Sequence, residues 1–521
     1  EGDHHHGRLV ALSLAENLHE LGEGAAALEC LESPFPWSGA ALDKDVSARH
    51  AKLLGTIEAA QGNLTTARKH FASAARGAEE AGSHTLLLEC HAALAELDWR
   101  HGNDEARREV IERVPKILDS EAGKAGGPDE RANLTYQLGA ALIRSGNASS
   151  AERVLLPALE IECSDYWRMR ITNALSSSCF YQGRFEDTVK WNNEAWKYAE
   201  RAGANSFKSR ILFNRAGLFY GFGRHRDSVE QHRVAATWAR RVGSKYDYMS
   251  ACEGLSINLT MLAQYEAAID EAQKAGEAAL QLGDPGEQAK RFELEALAYF
   301  CIGDYGKAEH LVESGQQILH GFGYASVQQR LDWLQARLMM RTGRYEDAAR
   351  VLRKAEQVLL ETKDWEDLPC VQIDLHLLEC RQDPSKGLPE IARLTKKAQT
   401  DGAVVVRLHG ASVLAEVILE YRIDDAECKA LVAAALAQAE ESGAAETTWW
   451  LAYCLGAIAA RQGDLTEAQT RFRRAALILN QIADGLTEEH RGIYLRRSHT
   501  AAALERISEL HPSSPPSAMP L

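Results

Sequence analysis

The sequence predicts an all-α solenoid of about twelve helix-turn-helix units, each of ~40 residues, followed by one more helix. Three observations carry that reading. A short string recurs at a near-constant interval, single glycines divide each interval in two, and the apolar residues between them fall at helical steps.

The recurring string is a small residue, a polar one, an apolar or aromatic one, and a small residue three positions later. It reads GNLTTA from Gly62, GNASSA from Gly146, GRFEDT from Gly183 and GRHRDS from Gly223. It continues as AQYEAA from Ala263, GDYGKA from Gly303, GRYEDA from Gly343 and GDLTEA from Gly463. Weaker copies start at Gly22, Gly102, Asp383 and Ile423. Consecutive starts lie 40 residues apart, or within about a residue of that, except around Gly146, where the intervals are 44 and 37. The longer interval holds EAGKAGGPDE, read as a loop insertion near 120–130, and SPFPWSGAALDKD near 33–45 also interrupts the rhythm. Both are candidate hinges or docking loops, with plain tolerated insertion as the simpler reading.

The second glycine series, Gly82, Gly203, Gly243, Gly283, Gly323, Gly402 and Gly443, follows helical stretches. A left-handed residue ends a helix there, and glycine adopts that conformation without a Cβ clash. Two marks per period leave two helices of roughly 15 to 18 residues in each unit. In YEAAIDEAQKAGEAALQLG, residues Ala268, Ile269, Ala272, Ala275, Ala279 and Leu280 share one helix face. Val, Ile and Thr never alternate as strands require. One pair cannot bury its apolar face alone, so the units must stack, giving a solenoid over 1–485. Residues 486–510 are expected to form a single capping helix over the last repeat. Thr487 would be its N-cap, with Glu488 and Glu489 at the positive end of its dipole. The Pro/Ser-rich 511–521 is expected to be disordered.

Small residues recur where paired helices must approach: Gly55, Gly139 and Gly456 in first helices, and Ala67, Ala268, Ala308, Ala348 and Ala468 early in second helices. Ala74, Ala158, Ala275, Ala355 and Ala475 follow seven residues later, with Phe71, Leu155, Leu352 and Phe472 filling between. This small-large register resembles the tetratricopeptide repeat family over nearly the whole chain. The long unit is similar to the superhelical repeat arm of the maltose-regulator (MalT) type. That resemblance implies a right-handed superhelix with the first helix of each pair lining the concave side. It also implies a setting downstream of a signal-transduction ATPase or kinase domain, although the chain itself shows no ATPase, kinase or DNA-binding segment. The opening GRLVALSLAENLHELGEGAAALECL and a first residue that is Glu rather than Met suggest a chain starting inside a longer product.

Composition narrows the function classes. The 521 residues carry 59 Lys and Arg against 74 Asp and Glu, a net charge of -15, which disfavours nonspecific binding to nucleic acid or anionic membrane. The 10 cysteines are scattered without a C-x-x-C pair and read as reduced core thiols. No apolar run nears the ~20 residues that span a bilayer, and a cytoplasmic location is expected. There is no P-loop, H-E-x-x-H, G-x-S-x-G or kinase signature. His4, His5 and His6 read as a solvated end rather than a metal site, and Glu79-Glu80 and Glu440-Glu441 as solvated faces. No catalytic, cofactor or metal residue is assigned, and an enzyme with a site built across repeats is the least favoured reading.

One constellation exceeds scaffold. In the family register, the concave wall is read 13, 10, 6 and 3 residues before each turn glycine. Arg170, Arg210, Ser250, Lys290 and Arg330 then occupy one place in five consecutive units, with Asn173, Phe180, Phe213, Tyr220, Phe300, Trp333 and Arg337 beside them. Cations along a groove can clamp carboxylates through two-point hydrogen bonds, and aromatics supply anchoring area. The competing reading pairs these cations with acids of the adjacent unit such as Glu253 or Glu293. Trp450 falls in the concave register and Trp449 on the packing side. The function expected is a scaffold binding a protein or peptide that carries acidic groups. The alternative is a ligand- or partner-sensing arm of an ATPase or kinase.

Overall fold

A computed structural model describes residues 2–20, 24–32, 43–60, 63–101, 104–283, 285–320, 325–362, 367–401 and 403–509. Among them are 27 helices and no strand. The chain divides into two compact units, Glu1–Asn205 and Ser206–Leu521.

Unit 1 holds five helix pairs: α1 (Gly2–Glu20) with α2 (Gly24–Glu32), α3 (Lys44–Ala60) with α4 (Leu64–Glu80), α5 (His84–His101) with α6 (Asp104–Asp119), α8 (Pro128–Arg144) with α9 (Ala148–Ala158), and α10 (Asp165–Tyr181) with α11 (Phe185–Arg201). The insertion after α6 is not a bare loop but the short helix α7 (Glu121–Ala125), capped by the Ser120 hydroxyl accepting from the Gly123 amide. Its glycines explain the difference. A Cβ on Gly123 would lie 2.2 Å from the Ile117 carbonyl, and one on Gly126 would lie 2.2 Å from Leu88, so only bare backbone folds back this tightly.

Unit 2 holds seven pairs: α12 (Asn205–Gly221), which begins at the boundary, with α13 (His225–Val242); α14 (Lys245–Met261) with α15 (Tyr265–Leu282); α16 (Pro285–Ile302) with α17 (Tyr305–Leu319); α18 (Ala325–Arg341) with α19 (Tyr345–Thr362); α20 (Leu368–Cys380) with α21 (Pro384–Asp401); α22 (Val404–Glu420) with α23 (Ala426–Ser442); and α24 (Ala445–Arg461) with α25 (Leu465–Asp484). Two further helices, α26 (Glu488–Arg496) and α27 (Ser498–Glu509), replace the single expected capping helix. The break falls at Arg497, whose extended backbone (φ -54, ψ 137) releases its side chain from the helical path.

The small-large register is the packing code. Three first-helix glycines meet the large residue sixteen positions on. A Cβ would lie 2.8 Å from Phe71 at Gly55, 2.6 Å from Leu155 at Gly139 and 3.1 Å from Phe472 at Gly456. The ten alanines of the register are all at most 3% exposed. The described turn glycines of both series have positive φ, and Ala263 (φ 57) and Arg422 (φ 55) take the same conformation without being glycine. Gly22, Gly62, Gly102, Gly323 and Gly402, the 33–42 part of the second insertion, the side chains of His4 to His6, and the 511–521 tail lie outside the described residues. None of the ten cysteines forms a disulfide among the described residues, and eight are buried.

Unit 2 coils tightly. The Tyr265 hydroxyl at the start of α15 donates to Glu446 at the start of α24, 181 residues on, at 3.0 Å. The same offset joins Gly223, where a Cβ would lie 2.9 Å from Val404, and Leu262, which lies 3.2 Å from the Cβ position of Gly443. The turns at Gly223 and at Leu262–Tyr265 therefore rest on the starts of first helices roughly four and a half repeats later. No described helix is long and apolar enough to cross a membrane.

Candidate functional site: the inner wall of unit 2

First helices of successive units pack on one another, α14 on α16, α16 on α18, α20 on α22 and α22 on α24. That puts them on the shorter, inner path of the coil, and their exposed register positions form its wall. The wall cations are not presented bare. Arg210 donates through Nε (3.0 Å) and Nη2 (2.8 Å) to Asp247 and lies over the Tyr246 ring. Lys290 meets Glu253 at 2.5 Å, and Arg330 meets Glu293 at 2.8 Å. Burial pushes the Glu253 carboxyl up while Lys290 pulls it down. An incoming carboxylate that captured Lys290 would strand Glu253 inside the protein, which opposes the exchange. Ser250, in the same row on α14, carries no charge.

The other wall residues sort as follows. Arg170 and Asn173, with Phe180, belong to unit 1, where Arg170 donates to the Tyr166 hydroxyl at 3.0 Å and lies 4.5 Å from the Tyr136 ring centre. Asn173 is buried. In unit 2, Phe213 packs edge-on against His232, and Tyr220 against His225, so both rings face their own second helix.

Phe300, Trp333 and Arg337 do come together. The Arg337 guanidinium lies 4.6 Å from the Phe300 ring centre and 5.3 Å from that of Trp333. Trp333 Nε1 donates to Asp374 at 2.7 Å, and His409 Nε2 lies 2.9 Å from the other Asp374 oxygen. Burial would raise the Asp374 carboxyl, but His409, Arg337 and the Trp333 N–H together hold it below the usual carboxylate range. Four first helices, α16, α18, α20 and α22, are thereby joined through one aromatic and ionic cluster.

A cavity of about 390 Å³ is bordered by Tyr305, whose ring centre lies 5.7 Å from that of Phe300, and by Arg341, Arg381, Glu416, Trp450 and His499. Trp450 donates to the Ser412 carbonyl at 3.2 Å and packs edge-on against His499 of α27, while Trp449 is 2% exposed in the core. Asp374, His409 and Glu416 are absent from the sequence-derived wall. The signal for two of them was present. Counting 13 and 6 residues back from Arg422 reaches His409 and Glu416, but the positive-φ turn residue there is Arg rather than Gly. Among the described residues, no group of three or more His, Cys, Asp or Glu is placed to hold a metal ion.

No protein-family model matches this chain, and no curated protein matches it. Among solved structures it is similar to a Rap protein complexed with Competence and Sporulation Factor, at 12% identity over 69% of this chain and 100% of that one, with a TM-score of 0.51. It also aligns with the Rap conjugation gene regulator of plasmid pLS20 in complex with the Phr* peptide, at 13% identity over 69% and 95% of the two chains, with a TM-score of 0.48. A third alignment is to a signal-transduction ATPase with a tetratricopeptide repeat sensor from Pyrococcus horikoshii, at 17% identity over 69% and 56%, with a TM-score of 0.43. The fold is a helical repeat of the tetratricopeptide type. This chain is thus an all-α repeat solenoid.

Proposed function

We propose that the chain is a protein-interaction scaffold that takes a peptide or protein segment on the inner wall of unit 2. One observation carries the reading: Arg337 is half-buried across the Phe300 and Trp333 rings, and Phe300 packs on Tyr305, which borders a cavity that extends to Trp450. Aromatic and arginine side chains in a partly desolvated hollow are the residue types that dominate binding energy at interfaces. The Rap protein of similar fold is itself seen in complex with Competence and Sporulation Factor, which supports a partner-binding role. Acidic groups on the partner would reach Arg337 and Arg341, since Arg210, Lys290 and Arg330 are engaged with Asp247, Glu253 and Glu293. The test uses the whole chain as bait, beside a chain carrying Arg337→Glu and Trp450→Ala. A partner retained by the first and released by the second, with melting curves alike, is expected. Equal retention by both would remove the wall from the account.

A further inference from the structure

The C-terminal helices are held on unit 2 in an unusual way. Of α26 only Tyr494 is fully buried; Ile493 and Leu495 pack half-buried against the main core, to which α27 adds buried Ala503 and Ile507. Beside this apolar packing, the attachment of α26 to α16 and the end of the solenoid has a polar part centred on one carboxylate. Glu446 accepts from the Tyr494 hydroxyl at 2.8 Å, from Arg497 Nη2 at 2.6 Å and from the Tyr265 hydroxyl at 3.0 Å. Arg497 Nη1 donates to the Cys301 carbonyl at 2.6 Å, and its guanidinium lies 4.1 Å from the Tyr494 ring centre. At the N-terminal end, Glu266 accepts from the Thr487 amide at 2.9 Å and lies 2.7 Å from His490 Nδ1.

The receiving surface is shaped for this cargo. Gly303 ends α16 with φ 100, and a Cβ there would lie 2.4 Å from Arg497 Cγ, so the glycine leaves the slot through which the arginine stem passes. The donors that satisfy Glu446 sit three residues apart, on either side of the helix break. Two come from the segment and the third, Tyr265, from the start of the second helix α15. A guanidinium in two charge-assisted contacts, stacked on a phenol, is a specific recognition unit.

We propose that this surface is a docking site for a helical segment bearing Tyr and, three residues on, Arg. In this proposal α26–α27 is its built-in occupant, which a partner segment of the same chemistry displaces. The inference rests on the reading that unit 2 takes partner segments, and it names the chemistry of one. Charge complementarity selects the partner: Glu446 and Glu266 ask for donors, and a segment lacking the arginine leaves the half-buried Glu446 carboxylate short of its counterion. Displacement leaves the solenoid stacked, because α26–α27 follows the last helix pair and the pairs keep their contacts with one another.

A fluorescent peptide of residues 485–509 serves as the probe for the full chain. The chain carrying Arg497→Ala, whose own segment is weakened, is expected to bind it at least tenfold more tightly than the unaltered chain. The same peptide with Arg497→Ala is expected to bind at least tenfold more weakly. Equal affinities for the two peptides, or no binding by the altered chain, would overturn the proposal. Hydrogen exchange on the unaltered chain needs no variant. Amides of 488–507 should exchange faster than those of α24 and α25, and faster still with excess peptide. Exchange at the α24 rate, unmoved by peptide, would also overturn it. If the peptide fails while Arg337→Glu with Trp450→Ala still releases a partner, this inference alone falls. If the peptide binds but no partner depends on Arg337 and Trp450, the wall reading alone falls.

Discussion

Tyr265 and Glu446, 181 residues apart in the chain, share a hydrogen bond of 3.0 Å. A quasi-linear array has few reasons to bring such distant repeats together. Here the contact closes one turn of the coil, and the same carboxylate then receives Tyr494 and Arg497. Sequence-local stacking and one long-range polar node together define the inner surface of unit 2.

That node can be weighed by urea denaturation. Glu446→Ala leaves the largely buried Arg497 without its counterion, and a destabilisation of about 2–4 kcal/mol is expected. Tyr265→Phe removes one neutral donor and should cost about 1 kcal/mol. Equal losses would show that the Arg497 pair is not the dominant member.

The glycine–large-residue pairs make an internal comparison. Gly139→Ala places a methyl 2.6 Å from Leu155 and should destabilise by about 1–3 kcal/mol through overpacking. Gly217, also within a helix but with nothing within 4 Å of its Cβ position, should gain up to about 1 kcal/mol on the same change from helix propensity. Thermal melts of both variants check this, and shifts of the same sign would contradict the packing code.

How much of this was legible follows from which residues did the encoding. Gly55, Gly139 and Gly456 announced their helices because the partner residue recurs sixteen positions on, and sequence spacing is what stacking reads. Twelve pairs could be placed that way. The wall was legible where a turn glycine set the register, as for Phe300, Trp333 and Arg337, and lost where Arg422 took the left-handed turn, hiding His409. The pairing of Lys290 with Glu253 was visible only as an alternative, since periodicity places a charge on a face without choosing its partner. The contacts of Glu446 across 181 residues left no trace, because coil pitch is a sum of small rotations that no single residue reports.

His232 supplies a pH dependence. It is buried beneath Gly254, where a Cβ would lie 2.2 Å from its ring, and burial pushes its pKa down to about 4. The unfolded chain, with a histidine near 6.5, binds more protons between those values, so stability is complete above pH ~6.5 and falls as pH drops toward 4. The advantage of His232→Leu over the unaltered chain should therefore grow by about 3 kcal/mol from pH 7 to pH 4. A difference independent of pH would refute the assignment.

Asp374 binds three first helices together through Trp333 and His409. Asp374→Ala leaves the indole N–H and the imidazole without their acceptor, with an expected loss of about 2–4 kcal/mol and a red shift in tryptophan emission. A stable variant with unshifted emission would mean the cluster does not order the wall.

The most direct test of the inner-wall claim is hydrogen exchange on the full chain with a captured partner bound. Protection is expected on the first helices of unit 2, above all around Phe300, Trp333, Arg337 and Trp450. Protection confined to the outer second helices or to unit 1 would contradict it.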